Sequence, residues 1–318
     1  MKLVILDGKT LNPGDNPWTP LESFGELEVY DRTPDDQIID RCGDASIVLT
    51  NKVPFTRATL AQLPNLKFIA VTATGYNVVD TTAAREQGVV VSNVPEYSTR
   101  SVAQHAFAML LSFLHRPAEH HQAILDGQWQ AIGDFSFTLS PVHELAGKTI
   151  GIVGLGRTGR ATAALATAFG MRVVASSRRQ VNPLPDDGFE WRSVEQLFAE
   201  ADVVSIHCPL TADNEQFIDE KLLSQMKPSA ILINTARGGL VDERALANAL
   251  NAGVIAGALL DVCSTEPIGA DNPLLSAKNC VLTPHIAWAT LEARQRLMQT
   301  TADNVAAFLK GQPQNVVG

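Results

Sequence analysis

The chain has 318 residues, 45% hydrophobic and 19% charged, which is long enough for two domains with sizeable cores. Its formal charge of −9 argues against a general role on nucleic acid or on an anionic membrane surface. Four scattered cysteines (Cys42, Cys208, Cys263, Cys280) with no C-x-x-C pair point to reduced thiols in a cytoplasm, and no apolar run approaches the length of a membrane span.

The opening MKLVILDGKT has an apolar run too short for a signal peptide and no cleavage region, so a first strand is expected there. Residues 2–6, 27–30, 46–50, 67–71 and 89–92 read as short buried strands. Helical patterns at Asp35–Arg41, Thr56–Gln62 and Asp80–Gln87 alternate with them, which predicts a parallel sheet with crossover helices. Asn12–Pro20 carries three prolines and is expected to be a surface loop. Ser98–Arg116 reads as a long helix with hydroxyls at its start, basic residues at its end and apolar residues almost all round. A helix this apolar must be largely buried, so it is expected to cross between domains and to contribute to a subunit interface. Pro117 marks its end, and 126–147 reads as irregular.

The most informative stretch follows. Thr149–Val153 is β-branched and apolar, Gly154-Leu155-Gly156-Arg157-Thr158-Gly159 comes next, and a helical run Arg160–Phe169 leads through Gly170 to a second strand, Arg172–Ser176. Strand, G-x-G-x-x-G, helix and strand form a dinucleotide-binding fingerprint in full context. Gly154 would allow the tight turn, Gly156 would let the backbone approach a pyrophosphate, and Gly159 would let helix and strand pack closely. The helix N-terminus offers N–H groups and partial positive charge to the phosphates. Arg157 either contacts phosphate or is solvated. At the end of the second strand stand Ser176, Ser177, Arg178 and Arg179, where an NAD site usually has a carboxylate. Two guanidinium forks and two hydroxyls can bind a 2′-phosphate, so NADP(H) is the expected cofactor, with NAD(H) as the alternative if the arginines are merely solvated.

Gln180–Gly188 is expected to be a proline-containing loop. Strand-like runs recur at 203–207, 230–234, 256–262 and 280–283, with helical patterns at Val194–Ala199, Asp219–Gln225 and Asp242–Ala252. A last helical run, Leu291–Lys310, stops at Gly311 and Pro313. The whole reads as α/β, with two doubly wound parallel-sheet domains of Rossmann type.

Three polar clusters fall just past strand ends: Thr235-Ala236-Arg237-Gly238-Gly239, Ser264-Thr265-Glu266-Pro267, and Thr283-Pro284-His285. All should reach the same rim as the glycine loop. There Arg237 can clamp a carboxylate or carbonyl. His285 can exchange a proton with a carbonyl oxygen beside a nicotinamide. Glu266 can bond the far ring nitrogen of His285, orient it and favour its charged form.

With these residues in view, the chain resembles the D-isomer-specific 2-hydroxyacid dehydrogenases. The resemblance runs through VTATGYNVVD (71–80), SVAQHAFAMLL (101–111), VGLGRTG (153–159), NTARGGLVDE (234–243), LLDVCSTEP (259–267) and TPHIAWAT (283–290), nearly the whole chain. It implies that Arg237, Glu266 and His285 are catalytic, that the Thr74, Gly75 and Tyr76 loop binds the substrate carboxylate, and that Asp261 contacts the nicotinamide carboxamide. It also implies a cofactor-lining loop at His207–Thr211, including Cys208 and Pro209, beside Thr235 and Ala236. The implied architecture is a substrate domain of residues 1–98 and 288–318 and a dinucleotide domain of 99–287, with the active site in an interdomain cleft that closes and excludes water. The family is usually dimeric, so a homodimer is expected. ATGYN near residue 75 and HIAW at 285–288 look most like glycerate dehydrogenases and hydroxypyruvate reductases, so a small 2-keto acid such as hydroxypyruvate or glyoxylate is the expected substrate. Ser177 departs from the NAD-type pattern and supports NADP(H).

Plainer readings stand beside these. Trp288 either walls the pocket or packs in a core. His105, inside the long apolar helix, is read as a satisfied packing or capping residue. His120 and His121 do not share a helix face, and His115, His143 and His207 carry no motif, so no catalytic metal is expected. Cys208 and Cys263 are expected to be small buried side chains, since hydride transfer needs no thiol. The alternative function is a cofactor-sensing, corepressor-like binding protein on the same scaffold; the complete Arg237–Glu266–His285 set favours an enzyme. Formate oxidation would leave the Glu–His pair without a purpose.

Overall fold

The computed structural model describes residues 1–180, 184 and 188–318. Of the loop expected at Gln180–Gly188, residues 181–183 and 185–187 lie outside the described residues. The chain divides into two compact units, Met1–Ser98 with Trp288–Gly318, and Thr99–Ala287.

The first unit is built on five parallel strands, β1 (Lys2–Ile5), β2 (Glu26–Val29), β3 (Ile47–Thr50), β4 (Phe68–Val71) and β5 (Val90–Ser92), in the order β2-β1-β3-β4-β5. β3 and β4 are buried throughout, which is why they read as unbroken apolar runs. Side chains alternate across the sheet. Val4, Val48 and Ile69 face one core with Leu60 and Ala83 of the crossover helices. Leu3, Ile47, Leu49 and Phe68 face another, which is closed by Ala293, Leu297, Met298 and Val305 of the helix Leu291–Leu309. Phe308 of that helix stacks on Phe68 at 4.5 Å. Arg294, 6% exposed, is held by both carboxylate oxygens of Asp15, the paired geometry a buried guanidinium needs. Trp288 packs on the same core, edge-on to Tyr97 at 6.2 Å, so the packing alternative describes it.

The second unit has seven parallel strands: β6 (Thr149–Val153), β7 (Arg172–Ser176), β8 (Glu190–Trp191), β9 (Val203–Ile206), β10 (Ile231–Asn234), β11 (Gly257–Leu260) and β12 (Cys280–Leu282). Their order is β12-β11-β10-β9-β6-β7-β8. Strand order reverses at β6 and β9, the switch point where an open α/β sheet leaves a ligand crevice at its carboxyl edge. Ile231 and Ile233 of β10 face the core shared with Ala106 and Leu110 of the helix Thr99–His115, while Leu232 faces the core shared with Leu197, Leu246 and Leu250.

Several local expectations need correction. Pro117 does lie just past the long helix, which ends at His115, but it also opens a further helix, Pro117–Leu125. Arg116 turns the chain with φ +48°, and proline is tolerated at a first helical position because its missing N–H has no partner there anyway. A short helix, Gln128–Ile132, lies inside the stretch read as irregular, bounded by Gly127 and Gly133 at φ +80° and +72°. Thr19–Glu22 is a helical turn at the end of the expected Asn12–Pro20 loop. The helix after the fingerprint begins at Arg157 rather than Arg160, because loop glycines and helix overlap. The strand expected at 256–262 spans Gly257–Leu260; Asp261 and Val262 already belong to the loop that follows. The edge strand β8 is two residues long, too short for any periodicity. Among the described residues, no helix is long and apolar enough to cross a membrane.

Candidate active site

Every chemically interesting loop of the second unit leaves the carboxyl end of a strand. The glycine loop turns at Gly154, φ +96°. A Cβ there would stand 2.7 Å from Cys208 N and 2.8 Å from His207 C, so only glycine lets the loops after β6 and β9 touch. A Cβ on Gly159 would meet Gly154 O at 2.2 Å, so helix and loop are in backbone contact. Gly156 has open space where a Cβ would go, and as the N-cap of the helix Arg157–Ala168 it supplies no side-chain cap to the first-turn N–H groups. That is the form of an anion cradle. Arg157 is exposed and Thr158 half-buried beside it.

After β7, Ser177 Oγ accepts the Leu155 N–H at 2.8 Å, tying the second strand's end to the glycine loop. Its hydroxyl proton remains to donate. Arg178 and Arg179 are exposed on the same rim. After β9, His207 bonds Ser205 Oγ at 2.9 Å, and burial pushes its pKa down to about 4, so the ring is neutral at physiological pH. Burial raises the thiol of Cys208 as well, and it lifts Cys263 to about 11, helped by the nearby carboxylates of Glu243, Glu266 and Asp261. Both stay protonated and are poor nucleophiles. They are half-buried rather than buried as expected, because both lie at the loop rim, with Pro209 beyond Cys208 exposed.

After β10, the buried Asn234 shapes the turn. Its Oδ1 accepts Ala236 N–H at 3.0 Å and its Nδ2 donates to Arg237 O at 2.9 Å. Thr235 is buried, and its Oγ1 has no hydrogen-bond partner among the described residues. Arg237 is exposed, with Nη1 donating to Ala236 O at 2.6 Å. Gly238 then runs against the next loop; a Cβ there would lie 1.9 Å from Cys263 C. Glu243 ties the same two loops by accepting from Ser264 N at 2.6 Å, Ser264 Oγ at 2.8 Å and Asn272 Nδ2 at 2.7 Å.

After β11 and β12 the structure brings Glu266 and His285 together: Glu266 Oε2 lies 2.6 Å from His285 Nδ1, while Oε1 accepts Cys263 N–H at 3.2 Å. Both side chains are about a third exposed, within reach of solvent or a ligand. His285 itself sits at φ +55°. Asp261, by contrast, has no side-chain exposure. Its oxygens accept Thr283 Oγ1 at 2.6 Å, Ile286 N–H at 2.8 Å and Ala287 N–H at 2.8 Å. It therefore builds the His285 loop, and in this structure it does not present an oxygen at the surface. Asn234, Gly238 and Glu243 were not assigned roles from the sequence. A buried Asn at a strand end, which must find partners, is the one signal that could have marked Asn234.

In the first unit, Thr74 Oγ1 donates to Val94 O at 2.9 Å and Thr74 O accepts Asn93 Nδ2 at 2.7 Å, so the 74–76 loop is tied down at its base. No described residue accepts the N–H groups of Gly75 and Tyr76.

Residues 107–287 match the D-isomer specific 2-hydroxyacid dehydrogenase, NAD binding domain. Over its full length the chain is 46% identical to the hydroxypyruvate reductase of Blautia hydrogenotrophica, covering 99% of that protein. The chain belongs to the D-isomer-specific 2-hydroxyacid dehydrogenase family. This family member is also 40% identical to the glycerate dehydrogenase of Methylorubrum extorquens, over 99% of this chain and 98% of that one. The NADPH-dependent glyoxylate/hydroxypyruvate reductase of Sinorhizobium meliloti, solved with NADP and malonate, superposes with a TM-score of 0.82 at 30% identity, over 100% of this dehydrogenase-family chain and 96% of its own. Among the described residues, no group of three or more His, Cys, Asp or Glu side chains is placed to hold a metal ion.

Proposed function

We propose that this chain is a reductase of small 2-keto acids, hydroxypyruvate or glyoxylate, forming the D-2-hydroxy acid with a nicotinamide cofactor and preferring NADPH. The observation that carries the reading is the His285–Glu266 pair at 2.6 Å, on the same sheet edge as an uncapped glycine-loop helix. The residues fit a dinucleotide. Gly156 leaves room for a pyrophosphate and puts no side-chain cap on the first turn of the helix, and the buried Thr235 hydroxyl lacks a partner among the described residues. Cys208, Pro209 and Ala236 are the further cofactor-facing positions of this reading. Asp261 keeps the cofactor-contacting position that the family resemblance gives it, and it also holds the His285 loop.

The bound cofactor supplies the hydride. His285 gives its proton to the keto oxygen in reduction and takes one back in oxidation, with Nδ1 held by Glu266 so that Nε2 is the ring's acting nitrogen. In the second unit Arg237 is the residue that clamps the substrate carboxylate; in the first unit Thr74, Gly75 and Tyr76 are the positions that the family resemblance gives to carboxylate binding. The corepressor-like alternative gains nothing from these observations, since binding alone needs no Glu–His proton relay.

The initial rate of hydroxypyruvate reduction, with NADPH and NADH side by side, tests the function. Fast turnover favouring NADPH is expected; no turnover across a panel of keto acids would overturn the assignment. Arg178→Ala should raise the KM for NADPH about tenfold and leave that for NADH nearly unchanged, the loss of one exposed charge-assisted contact. Parallel changes would remove Arg178 from 2′-phosphate recognition.

A homodimer is part of the same proposal. Leu125, Trp129, Ile132, Phe135, Leu139 and Val142 are all exposed within one short stretch, Phe135 by 87%, which is an apolar patch in search of cover. Sedimentation at the 34.2 kDa mass of a single chain would overturn this. Free thiols at all four cysteines suit a cytoplasmic location.

A further inference from the structure

A second histidine lies beneath the loop that carries His285. His105, on the helix Thr99–His115, places Nε2 3.0 Å from Thr283 Oγ1 and 3.5 Å from Asp261 Oδ1. The bond directions can be worked out. Thr283 has one hydroxyl proton and three possible acceptors in range: Asp261 Oδ1 at 2.6 Å, His105 Nε2 at 3.0 Å in the tautomer that leaves this nitrogen bare, and Met109 Sδ at 3.7 Å. A carboxylate is much the stronger acceptor, so the proton points to Asp261. The hydroxyl oxygen then has only lone pairs left for His105, so Nε2 of His105 carries the proton between them. The chain of donors runs in one direction: His105 Nε2–H to Thr283, Thr283 O–H to Asp261.

Asp261 passes this on to the backbone around His285. Its two carboxylate oxygens accept the N–H groups of Ile286 and Ala287, and its main-chain oxygen accepts the His285 N–H at 2.8 Å. His285 is held at φ +55°, in the left-handed region that a residue with a Cβ enters only against steric resistance. Such a conformation persists where the surroundings over-determine it. Here they are the Asp261 contacts on either side, and Asp261 is aimed by Thr283 and His105. An apolar residue at 105 would fill the same space beside Met109 without supplying the terminal donor.

We propose that His105 is a positioning residue for His285, acting through Thr283 and Asp261 to hold the ring where it meets the reacting oxygen. Its kinetic consequence rests on the reading of His285 as proton donor; its structural consequence does not.

The test compares His105→Leu, which removes the donor, with His105→Gln, which keeps an N–H near the old Nε2. With hydroxypyruvate and NADPH, His105→Leu should lower kcat about tenfold or more, as expected when an acid is misplaced, while the KM for NADPH stays unchanged. His105→Gln should recover most of that loss. In parallel, imidazole 15N–1H spectra should show wild-type His105 protonated at Nε2, and the His285 signals should move in His105→Leu and return in His105→Gln. Equal kcat in the Leu variant with unmoved His285 signals overturns the proposal, and so does a Gln variant as impaired as Leu. If His105→Leu does not fold, Thr283→Val removes the relay hydroxyl at nearly constant volume; His285 signals that stay put in it overturn the proposal equally. A wild-type protein that reduces no keto acid counts against the proposed function, and the His285 signals then decide this inference by themselves.

Discussion

Replacing His285 with alanine is expected to lower kcat for keto-acid reduction by about a thousandfold and to leave cofactor affinity near that of the wild type. The magnitude is that of a positioned general acid, about 10²–10⁴-fold. The selectivity follows from geometry. His285 engages Glu266, not the glycine loop, and the features proposed to hold the cofactor lie at Gly156, Thr235 and the helix Arg157–Ala168. Glu266→Gln should cost less, because the ring remains and an amide oxygen can still accept from Nδ1, in a neutral rather than a charge-assisted hydrogen bond. Steady-state kinetics and cofactor titration by fluorescence check both variants. A His285→Ala protein with unchanged kcat would remove His285 from the chemistry, whereas a joint loss of turnover and cofactor binding would mean the substitution collapses the rim.

Gly238→Ala should be the most damaging single methyl in the second unit. The added Cβ would fall 1.9 Å from Cys263 C, 2.1 Å from Cys263 O and 2.3 Å from Ser264 N. All three are backbone atoms, so no rotamer change relieves the clash, and one of the two loops must move. The cost should reach the upper end of overpacking, about 3 kcal/mol. The two loops carry Arg237 and Glu266, so the displacement should also raise the KM for the keto acid and reduce kcat/KM about a hundredfold, the penalty of a misplacement near 1 Å. Gly239→Ala is the matched control. Its Cβ would meet Leu210 Cδ2 at 2.9 Å, the far end of a flexible side chain that can swing away. Thermal midpoints and kinetics of the pair measure the difference; equal behaviour would show that the 236–241 turn is not held against Cys263.

Much of the fold is legible in the chain itself because both sheets are parallel and covered on both faces. Runs such as Ile47–Thr50 or Ile231–Asn234 are buried at every position, so their apolar character survives as an unbroken signal. The elements that escape are those with no such signal. β8 has two residues, and the helix Pro117–Leu125 opens on a residue usually read as a stop. The site is legible to the extent that function needs a residue type at a strand end: Arg237, Glu266 and His285 follow three neighbouring strands, and the parallel order carries their loops to one edge.

What the loops do to one another is a different matter. Asp261 looks like a group placed to reach a ligand, and its carboxylate also accepts three hydrogen bonds within the His285 loop. His105 looks like core packing, yet it ends a chain of hydrogen bonds beneath that loop. Gly238 looks like one more turn glycine, yet it is where two loops touch. The sequence by itself determined the α/β class and the glycine-loop fingerprint and marked Arg237, Glu266 and His285 as candidates, because each is written in local periodicity or in a short contiguous motif. Only the tertiary structure decided which of these groups meet and which are buried. Those depend on atoms dozens of residues apart being held within about 3 Å, and no local pattern in the chain encodes that separation.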